Sequence, residues 1–224
     1  MEGINLLFVV SMLYMASIKF DKFILEVKNK FLKNQIILKD SDLFKNYLNN
    51  CILVKREVLC VIKAKKRLDV EKIVHLCNKF KIPVYPISRG NNWGYGSANP
   101  ARDGCVILDL SLMNKILDYD DKLGFVRIEP GVTQQQLYEF LCENCSNFKM
   151  DPTGSSPQCS VLANSLERGF GIGLMNNHFE SLSNLEVVLP CGEVMNTGFG
   201  HYKNCKGSNV YKYGVGPYMD GLFS

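Results

Sequence analysis

The stretch of sequence that decides the fold is Pro86-Ile-Ser-Arg-Gly-Asn-Asn-Trp-Gly-Tyr-Gly-Ser97, which follows a short apolar run. Its glycines, Gly90, Gly94 and Gly96, can take backbone angles that are closed to other residues, and they let a ligand approach the main chain. Successive N–H groups in such a turn can bind an anion, typically a phosphate, and Arg89 adds a charge that suits a diphosphate. The stretch therefore predicts a cradle for a nucleotide cofactor.

This loop matches neither of the two common phosphate-binding fingerprints. A Walker loop ends in Gly-Lys-Ser/Thr, which the sequence does not contain. The dinucleotide fingerprint Gly-x-Gly-x-x-Gly opens a helix, whereas residues 97–104 have the composition of a turn. Taken alone, a Gly/Asn-rich loop after a strand is also typical of an ordinary surface connection.

Composition places the chain among globular proteins. Its 224 residues are 46% hydrophobic and 21% charged, and they suffice for one large domain or two small ones. The formal net charge of +4 is only mildly basic. The densest basic run, Lys63-Ala-Lys65-Lys66-Arg67, has no interleaved aromatic residues, so it favours a solvated face over a nucleic-acid patch. We expect no nucleic-acid partner.

The nine cysteines have an odd count and no framework spacing, which argues against a secreted disulfide scaffold. Cys142 and Cys145 form the only tight pair, near the end of an expected helix, and no second pair completes a zinc site. We expect structural cysteines here and no metal.

Residues 1–18 read as an apolar N-terminal extension of uncertain order. The run from Leu6 to Ile18 is too short to cross a bilayer as a helix. It lacks the positive start of a signal peptide, although Met15-Ala-Ser17 resembles a small-residue cleavage site. The expectation is a cytoplasmic protein, with export or anchoring left open.

The rest of the chain divides into three expected parts. Residues 19–50 have helical periodicity, including a short second helix from Asp40 to Tyr47. Residues 51–111 form a first α/β subdomain in which a strand, a helix capped by Asp69 and a second strand lead into the glycine loop. Residues 112–224 form a second α+β subdomain.

The second subdomain combines two hairpins with two helices. Its first helix is expected from Gln134 to Glu143 with Thr133 as its cap. A loop rich in Gly, Pro and Ser runs through residues 151–158 and precedes a short helix from Val161 to Glu167. Two such loops from successive units could clasp the ends of one extended cofactor.

Several motifs in the same order carry a family resemblance. They are Pro86-Ile-Ser-x-Gly90-x-Asn92-x-Gly94-Tyr95-Gly96, Leu108-Asp109-Leu110-Ser111-x-Met113-Asn114, Glu129-Pro130-Gly131-Val132-Thr133, Glu167-Arg168-Gly169 and Gly216-Pro217-Tyr218-x-Asp220-Gly221-x-Phe223-Ser224. Together they resemble the vanillyl-alcohol oxidase and p-cresol methylhydroxylase family from about Lys19 to Ser224. The resemblance implies an α+β fold, with two subdomains that hold FAD between them.

The resemblance also implies which residues contact FAD. In the first loop they are Pro86, Ile87, Ser88, Arg89, Gly90, Asn91, Asn92, Trp93, Gly94 and Gly96. In the second loop and the helix after it they are Gly154, Ser155, Cys159, Ser160, Glu167 and Gly169. For Ser160 and Glu167 the alternative is simple helix capping and bracing of the loop.

Tyr95 and Ser155 are the positions that bear most on the chemistry. The counterpart of Tyr95 helps bind the phenolic oxygen of the substrate and favours the phenolate; the alternative is a tyrosine packed against the flavin loop. Ser155 stands where the oxidase branch has an aspartate, so the resemblance favours a dehydrogenase that passes electrons to another protein, such as a cytochrome.

Two departures from the family pattern stand out. Ile172 replaces a tyrosine that faces the flavin, and His178 is expected to brace the structure because no partner is visible. Phe223-Ser224 ends the chain inside a motif that continues in relatives, so we expect an FAD-binding domain truncated at its C-terminal end. The complete enzyme would oxidise a phenol and could be a homo-oligomer. The alternatives are a non-catalytic remnant and a flavoenzyme for a non-phenolic alcohol.

Overall fold

The computed structural model describes residues 6–50, 52, 54–92, 96–173, 176–202, 204–214 and 217–224. Several short 3-10 turns join the regular elements. In chain order these elements are α1 (Leu6–Lys30), β1 (Ile36–Ile37), α2 (Lys45–Leu48), β2 (Val58–Lys63), α3 (Arg67–Lys79), β3 (Val84–Ile87), β4 (Cys105–Asp109), β5 (Ile116–Asp120), β6 (Phe125–Ile128), α4 (Gln134–Glu143), α5 (Val161–Leu166), β7 (Glu186–Val188) and β8 (Val194–Asn196).

The expected boundary at residue 18, between an N-terminal extension and a helical segment, is absent, because α1 runs unbroken from Leu6 to Lys30. Its predicted apolar face is confirmed: Phe23, Val27 and Phe31 are buried in the main core, whereas Leu25 points outward. The helical expectation for residues 19–50 is wrong at β1, where two isoleucines pair with β2. Among the described helices, none combines the length and apolarity that crossing a bilayer requires.

The first unit is built on a four-stranded sheet with the order β1-β2-β4-β3. β1 runs antiparallel to β2, and the β2–β4 and β4–β3 pairs are parallel. β4 therefore lies between the two strands that α3 connects, and every residue of β4 is buried. Because parallel strands end at the same edge, the loops after β3 and β4 emerge side by side.

Asp69 does not cap α3 as the sequence predicted. The helix begins at Arg67, with Lys66 at the N-cap position, and Asp69 lies inside the first turn. Its buried Oδ2 accepts hydrogen bonds from the Lys65 N–H at 3.0 Å and from Gln35 Nε2 at 3.2 Å. Asp69 thus satisfies a donor just before the helix and ties this turn to the segment after α1.

The second unit confirms the predicted hairpins and helices. β5 pairs with β6 and β7 pairs with β8, both antiparallel. Thr133 caps α4 in a reciprocal pair of bonds: its Oγ1 accepts the Gln136 N–H at 3.1 Å, and Gln136 Oε1 accepts the Thr133 N–H at 3.1 Å. This capping box fixes the start of α4 at the predicted residue.

Gly131 joins the two units at close range. Its N–H donates to the Met113 carbonyl at 2.7 Å. A Cβ at this position would lie 2.7 Å from the carbonyl oxygens of Leu110 and Met113, too close for any side chain. The Glu-Pro-Gly sequence after β6 therefore allows the second unit to approach the loop that follows β4.

We expect Phe23→Ala to lower the free energy of unfolding by about 3–5 kcal/mol, because it leaves a cavity where a fully buried ring packs between α1 and the sheet. Leu25→Ala, two residues along the same helix and exposed, is the matched control and should change stability by less than about 0.5 kcal/mol. Urea denaturation followed by circular dichroism measures both. Equal losses would mean that α1 does not pack as described.

Candidate functional site

A cleft of about 2040 Å³ opens at the carboxyl edge of the sheet, between the two units. Its walls come from β3 and the loop after it, the second loop, α5, β7 and the last two residues of the chain. The volume exceeds the roughly 300–1,000 Å³ of ordinary small-molecule pockets and suits a longer ligand. The predicted site residues that line it are Pro86, Ile87, Ser88, Arg89, Gly90, Asn91, Asn92, Ser155, Cys159, Ser160 and Glu167.

The main-chain N–H groups of residues 88–92 are the cleft's most informative feature. Within the described part of the chain, none of these five N–H groups donates a hydrogen bond to a carbonyl or a side chain. Gly90 has a φ of +67°, which lets the loop turn back at the end of β3. Main-chain donors without a partner in the fold need water or a ligand as acceptor, and a phosphate supplies several oxygens.

Arg89 keeps its charge available at the same place. Its guanidinium donates to the Ser111 carbonyl at 3.4 Å and to Gln158 Oε1 at 3.5 Å, both of which are neutral groups. Among the described residues, no carboxylate forms an ion pair with it. Asn91 Nδ2 donates to the Gln158 carbonyl at 3.3 Å, so the first loop and the second loop meet directly.

Asp109 holds the turn at Ser111, whose carbonyl accepts from Arg89, and the sequence alone did not predict this role. Its Oδ1 accepts the Ser111 N–H at 2.7 Å, and its Oδ2 accepts the Tyr47 hydroxyl at 2.6 Å. Burial, reinforced by the bond to Asp109, raises the pKa of Tyr47 far above its ordinary value. The signal was an Asp-x-Ser sequence at the end of an apolar strand, which is typical of an Asx turn.

Some residues predicted to contact FAD, in the second loop and at the start of α5, form hydrogen bonds within the protein. The Ser160 hydroxyl caps α5 by accepting the Ala163 N–H at 3.0 Å and donates to the Pro130 carbonyl at 2.6 Å. That hydroxyl is thus engaged in both directions, as a capping role requires. The Ser155 hydroxyl lies 2.8 Å from the Cys159 thiol, and Cys159 is buried in the cleft wall.

Glu167 lies close to the first unit across the cleft. Its side chain is exposed at the end of α5. Burial raises the pKa of Tyr85 in β3, and the Glu167 carboxylate adds to the effect by disfavouring a second negative charge nearby. Glu167 is therefore an acidic side chain of the cleft whose charge acts on Tyr85 in β3.

The remaining predicted residues do not line the cleft or lie outside the described residues. Gly154 lines a smaller neighbouring pocket of about 610 Å³. A Cβ at Gly96 would lie 2.9 Å from Ile52 Cδ1, and one at Gly169 would overlap the amide of Asn164, so both glycines allow close packing. Trp93, Gly94 and Tyr95 lie outside the described residues.

Comparison with known proteins identifies the class of this chain. The sequence profile described as "FAD binding domain" matches residues 58–198, well over half of the chain. The chain therefore belongs to the family of FAD-binding domains, and its cofactor is FAD. Its cleft is compatible with this cofactor, because Arg89 and five main-chain N–H groups that have no acceptor among the described residues belong to the loop that lines it.

Individual relatives confirm the p-cresol methylhydroxylase type of fold. The chain is 39% identical over 156 residues to the 4-cresol dehydrogenase [hydroxylating] flavoprotein subunit of Pseudomonas putida, covering 70% of this chain and 30% of that protein. It is 42% identical over 164 residues to 1'-carboxy-chondrochloren decarboxylase of Chondromyces crocatus, covering 73% and 30%. The crystal structure of p-cresol methylhydroxylase with substrate bound superposes with a TM-score of 0.87 and 32% identity, covering 92% and 40%.

These matches leave much of each relative unmatched. The chain spans about a third of the length of the curated relatives and 40% of the p-cresol methylhydroxylase chain. What it shares with them is the FAD-binding part of a flavoprotein oxidoreductase.

We expect Gly90→Ala to weaken FAD binding at least tenfold, or about 1.4 kcal/mol. The new methyl group would lie 3.3 Å from Ala98 Cβ and would strain a loop with positive φ beside the N–H groups of the cradle. Fluorescence titration of FAD into the purified chain measures the dissociation constant.

Gly104→Ala is the matched control for this substitution. Gly104 also has a positive φ, of +74°, but open space surrounds its Cβ position and it does not line the cleft. Both variants should lose a similar free energy of unfolding, on the order of 1 kcal/mol. Equal FAD affinity in the two variants would contradict the role of the first loop.

Proposed function

We propose that this chain is the FAD-binding part of an oxidoreductase that oxidises a para-substituted phenol of the 4-cresol or vanillyl-alcohol type, with FAD as the hydride acceptor. The observation that carries the proposal is the set of N–H groups at residues 88–92, beside Arg89 in the cleft, for which the described residues offer no acceptor. They supply the anion cradle that a flavin dinucleotide requires. The phenolic substrate is inferred from the named relatives.

In this proposal Tyr95 binds the phenolic oxygen. A hydroxyl that donates a hydrogen bond to this oxygen stabilises the phenolate over the phenol, which lowers the pKa of the substrate. Electron release from the phenolate then assists loss of a hydride from the carbon para to it. Loss of the phenolic proton and of the hydride is a two-electron oxidation, and its product is a quinone methide.

We further propose that the electrons leave to an electron-accepting protein such as a cytochrome, in a complete enzyme that is a homo-oligomer. Ser155 supports this part, because its hydroxyl stays protonated at neutral pH and is paired with the Cys159 thiol at 2.8 Å. A serine cannot act as the carboxylate base of the oxidase branch. The relative from Pseudomonas putida is likewise a flavoprotein subunit of a dehydrogenase.

A second candidate is a decarboxylation in place of a simple alcohol or alkyl oxidation. It is favoured by the 42% identity to 1'-carboxy-chondrochloren decarboxylase, which is at least as high as the identity to the dehydrogenase. Because a shared fold does not determine the reaction, the fold is also compatible with a flavoenzyme for a non-phenolic alcohol and with a non-catalytic remnant.

We expect the FAD-loaded chain to keep its visible flavin bands through gel filtration, and we expect 4-cresol to bleach the flavin of the complete enzyme under anaerobic conditions. Tyr95→Phe should slow this bleaching by about 10²–10³-fold, the usual effect of removing one donor to a developing oxyanion. Tyr213→Phe changes an exposed tyrosine and is the control. Stopped-flow absorption measures both rates.

The outcomes of this experiment separate the candidate functions. A colourless protein after gel filtration would contradict the FAD site. Stable flavin bands in this chain, without bleaching of the complete enzyme by any phenol, would contradict phenol oxidation while leaving the FAD site in place. Bleaching by an aryl carboxylic acid with release of carbon dioxide would favour the decarboxylase.

A further inference from the structure

A polar cluster in the wall of the cleft has no role in the proposed oxidation. It consists of Asp151 at the start of the second loop, Asn164 on α5 and His178, and all three residues line the cleft. His178 Nδ1 contacts Asn164 Oδ1, and His178 Nε2 lies 3.5 Å from Asp151 Oδ2. Asp151 Oδ1 accepts the Gly173 N–H at 2.9 Å. His178, expected to have no visible partner, therefore has two.

Two atoms of this cluster define its chemistry. Asp151 Oδ2 and His178 Nε2 are buried and lack any other hydrogen-bond partner among the described residues, so each has only the other within reach. An ionised carboxylate only accepts hydrogen bonds, so a bare Nε2 would place two lone pairs face to face. A buried polar atom without a partner is costly. A proton on Nε2 would satisfy both atoms, because it could be donated to Asp151 Oδ2.

The contact with Asn164 is compatible with this assignment in either amide orientation. If Asn164 Oδ1 accepts from Nδ1–H, the ring carries both protons and is an imidazolium. If the amide is turned, its NH₂ group donates to Nδ1, and a neutral ring carries its one proton on Nε2. Both states donate from Nε2 to Asp151.

Close packing around the cluster shows that it joins two loops. A Cβ at Gly171 would overlap both Asp151 and His178, and Gly171 forms an isolated bridge with Thr153. The loop that ends at His178 is therefore packed directly against the start of the second loop. Only a glycine at position 171 allows this approach.

The second loop is held from the other side by Gln134, at the start of α4. Gln134 Oε1 accepts the Thr153 N–H at 2.9 Å, and Gln134 Nε2 donates to the Ser156 carbonyl at 2.9 Å. Ser155 lies between the residues that these anchors hold and lines the cleft, as does Cys159 just after them, and Gln158 reaches Arg89. The anchor at Asp151 is the one that depends on a proton.

We propose that His178 is a positioning residue for FAD: its Nε2–H donates to Asp151 and fixes the second loop in the position that completes the cleft wall. It acts through Asp151 and the loop, and it does not need to touch the cofactor. The positioning role rests on FAD binding in this cleft, whereas the proton assignment concerns the protein alone.

The first test is nuclear magnetic resonance of the FAD-free chain with ¹⁵N-labelled histidine. The sequence has only three histidines, so the signal that disappears in the His178→Phe variant belongs to His178. We expect a directly bonded proton on Nε2 of His178 that exchanges slowly with water. A bare Nε2 with a proton on Nδ1 alone would overturn the proposal whatever the chain does with FAD.

The second test is a double-mutant cycle on FAD affinity. Asp151→Asn keeps the size of the side chain and an acceptor for the Gly173 N–H, and it should raise the FAD dissociation constant about tenfold, as should His178→Phe. The double variant should bind FAD no more weakly than the weaker single variant, because both changes remove one interaction. His201→Phe and Asp21→Asn, both exposed, are matched controls and should leave the affinity unchanged.

The outcomes distinguish the proposal from a purely structural effect and from failure of the site. Asp151→Asn that is folded by circular dichroism and binds FAD like the wild type would overturn the positioning role, even if His178→Phe fails to fold. Additive losses would overturn the coupling of the two residues. A wild-type chain that binds no FAD would overturn both the site and the positioning role, and the resonance of His178 would still decide the proton assignment.

Discussion

Residues 88–92 follow β3, and the described residues offer no acceptor for their main-chain N–H groups. The loop must therefore lie where these donors can be reached from the cleft. In β3 itself the strand bonds to β4, but the chain turns away at Gly90 before another strand can pair with it. Unpaired donors are tolerated only where water or a ligand reaches them. The open edge of the sheet provides that access, and Arg89 adds the charge that favours an anion over water.

The position of these donors depends on packing that lies well outside the loop. β4 is buried over its whole length and separates β2 from β3, so the loops after β3 and β4 end up adjacent. Asp109, at the end of β4, holds the turn at Ser111, whose carbonyl accepts from Arg89. Gly131 then allows the second unit to pack against that same turn. The first loop is thus held through the turn at Ser111, which Arg89, Asp109 and the second unit all contact.

Local signals were sufficient to predict most of the elements. Thr133 and Gln136 form a capping box within one turn, and the start of α4 was therefore predictable from sequence. β4 and the hairpins were predictable from short apolar runs between turn residues. The errors have non-local causes: Ile36 and Ile37 become a strand only because β2 offers its edge, and Asp69 was misplaced because its partners include Gln35, 34 positions away.

The same distinction applies to the candidate site. Both loops could be found from their composition, and the family resemblance supplied their expected FAD contacts. The partners of His178 could not be found in this way, because Asn164 and Asp151 are 14 and 27 positions away and become neighbours only after the two loops pack. For Ser160 the capping of α5 was already an alternative to FAD contact, and only the bond to the Pro130 carbonyl, 30 positions away, could not be found from the local sequence.

The cofactor is better determined than the substrate because main-chain groups and side chains have different roles in this fold. In our proposal FAD is bound largely by main-chain groups, whose placement depends on strand order and on a few glycines and not on the side chains that determine the reaction. A dehydrogenase and a decarboxylase resemble this chain almost equally, at 39% and 42% identity. Their different chemistry must therefore depend on a few side chains and on the parts of those proteins that this chain does not match. In this chain Tyr95 and Ser155 are the side chains at which such a difference would be expressed, because one would set the charge of the substrate and the other removes a carboxylate base.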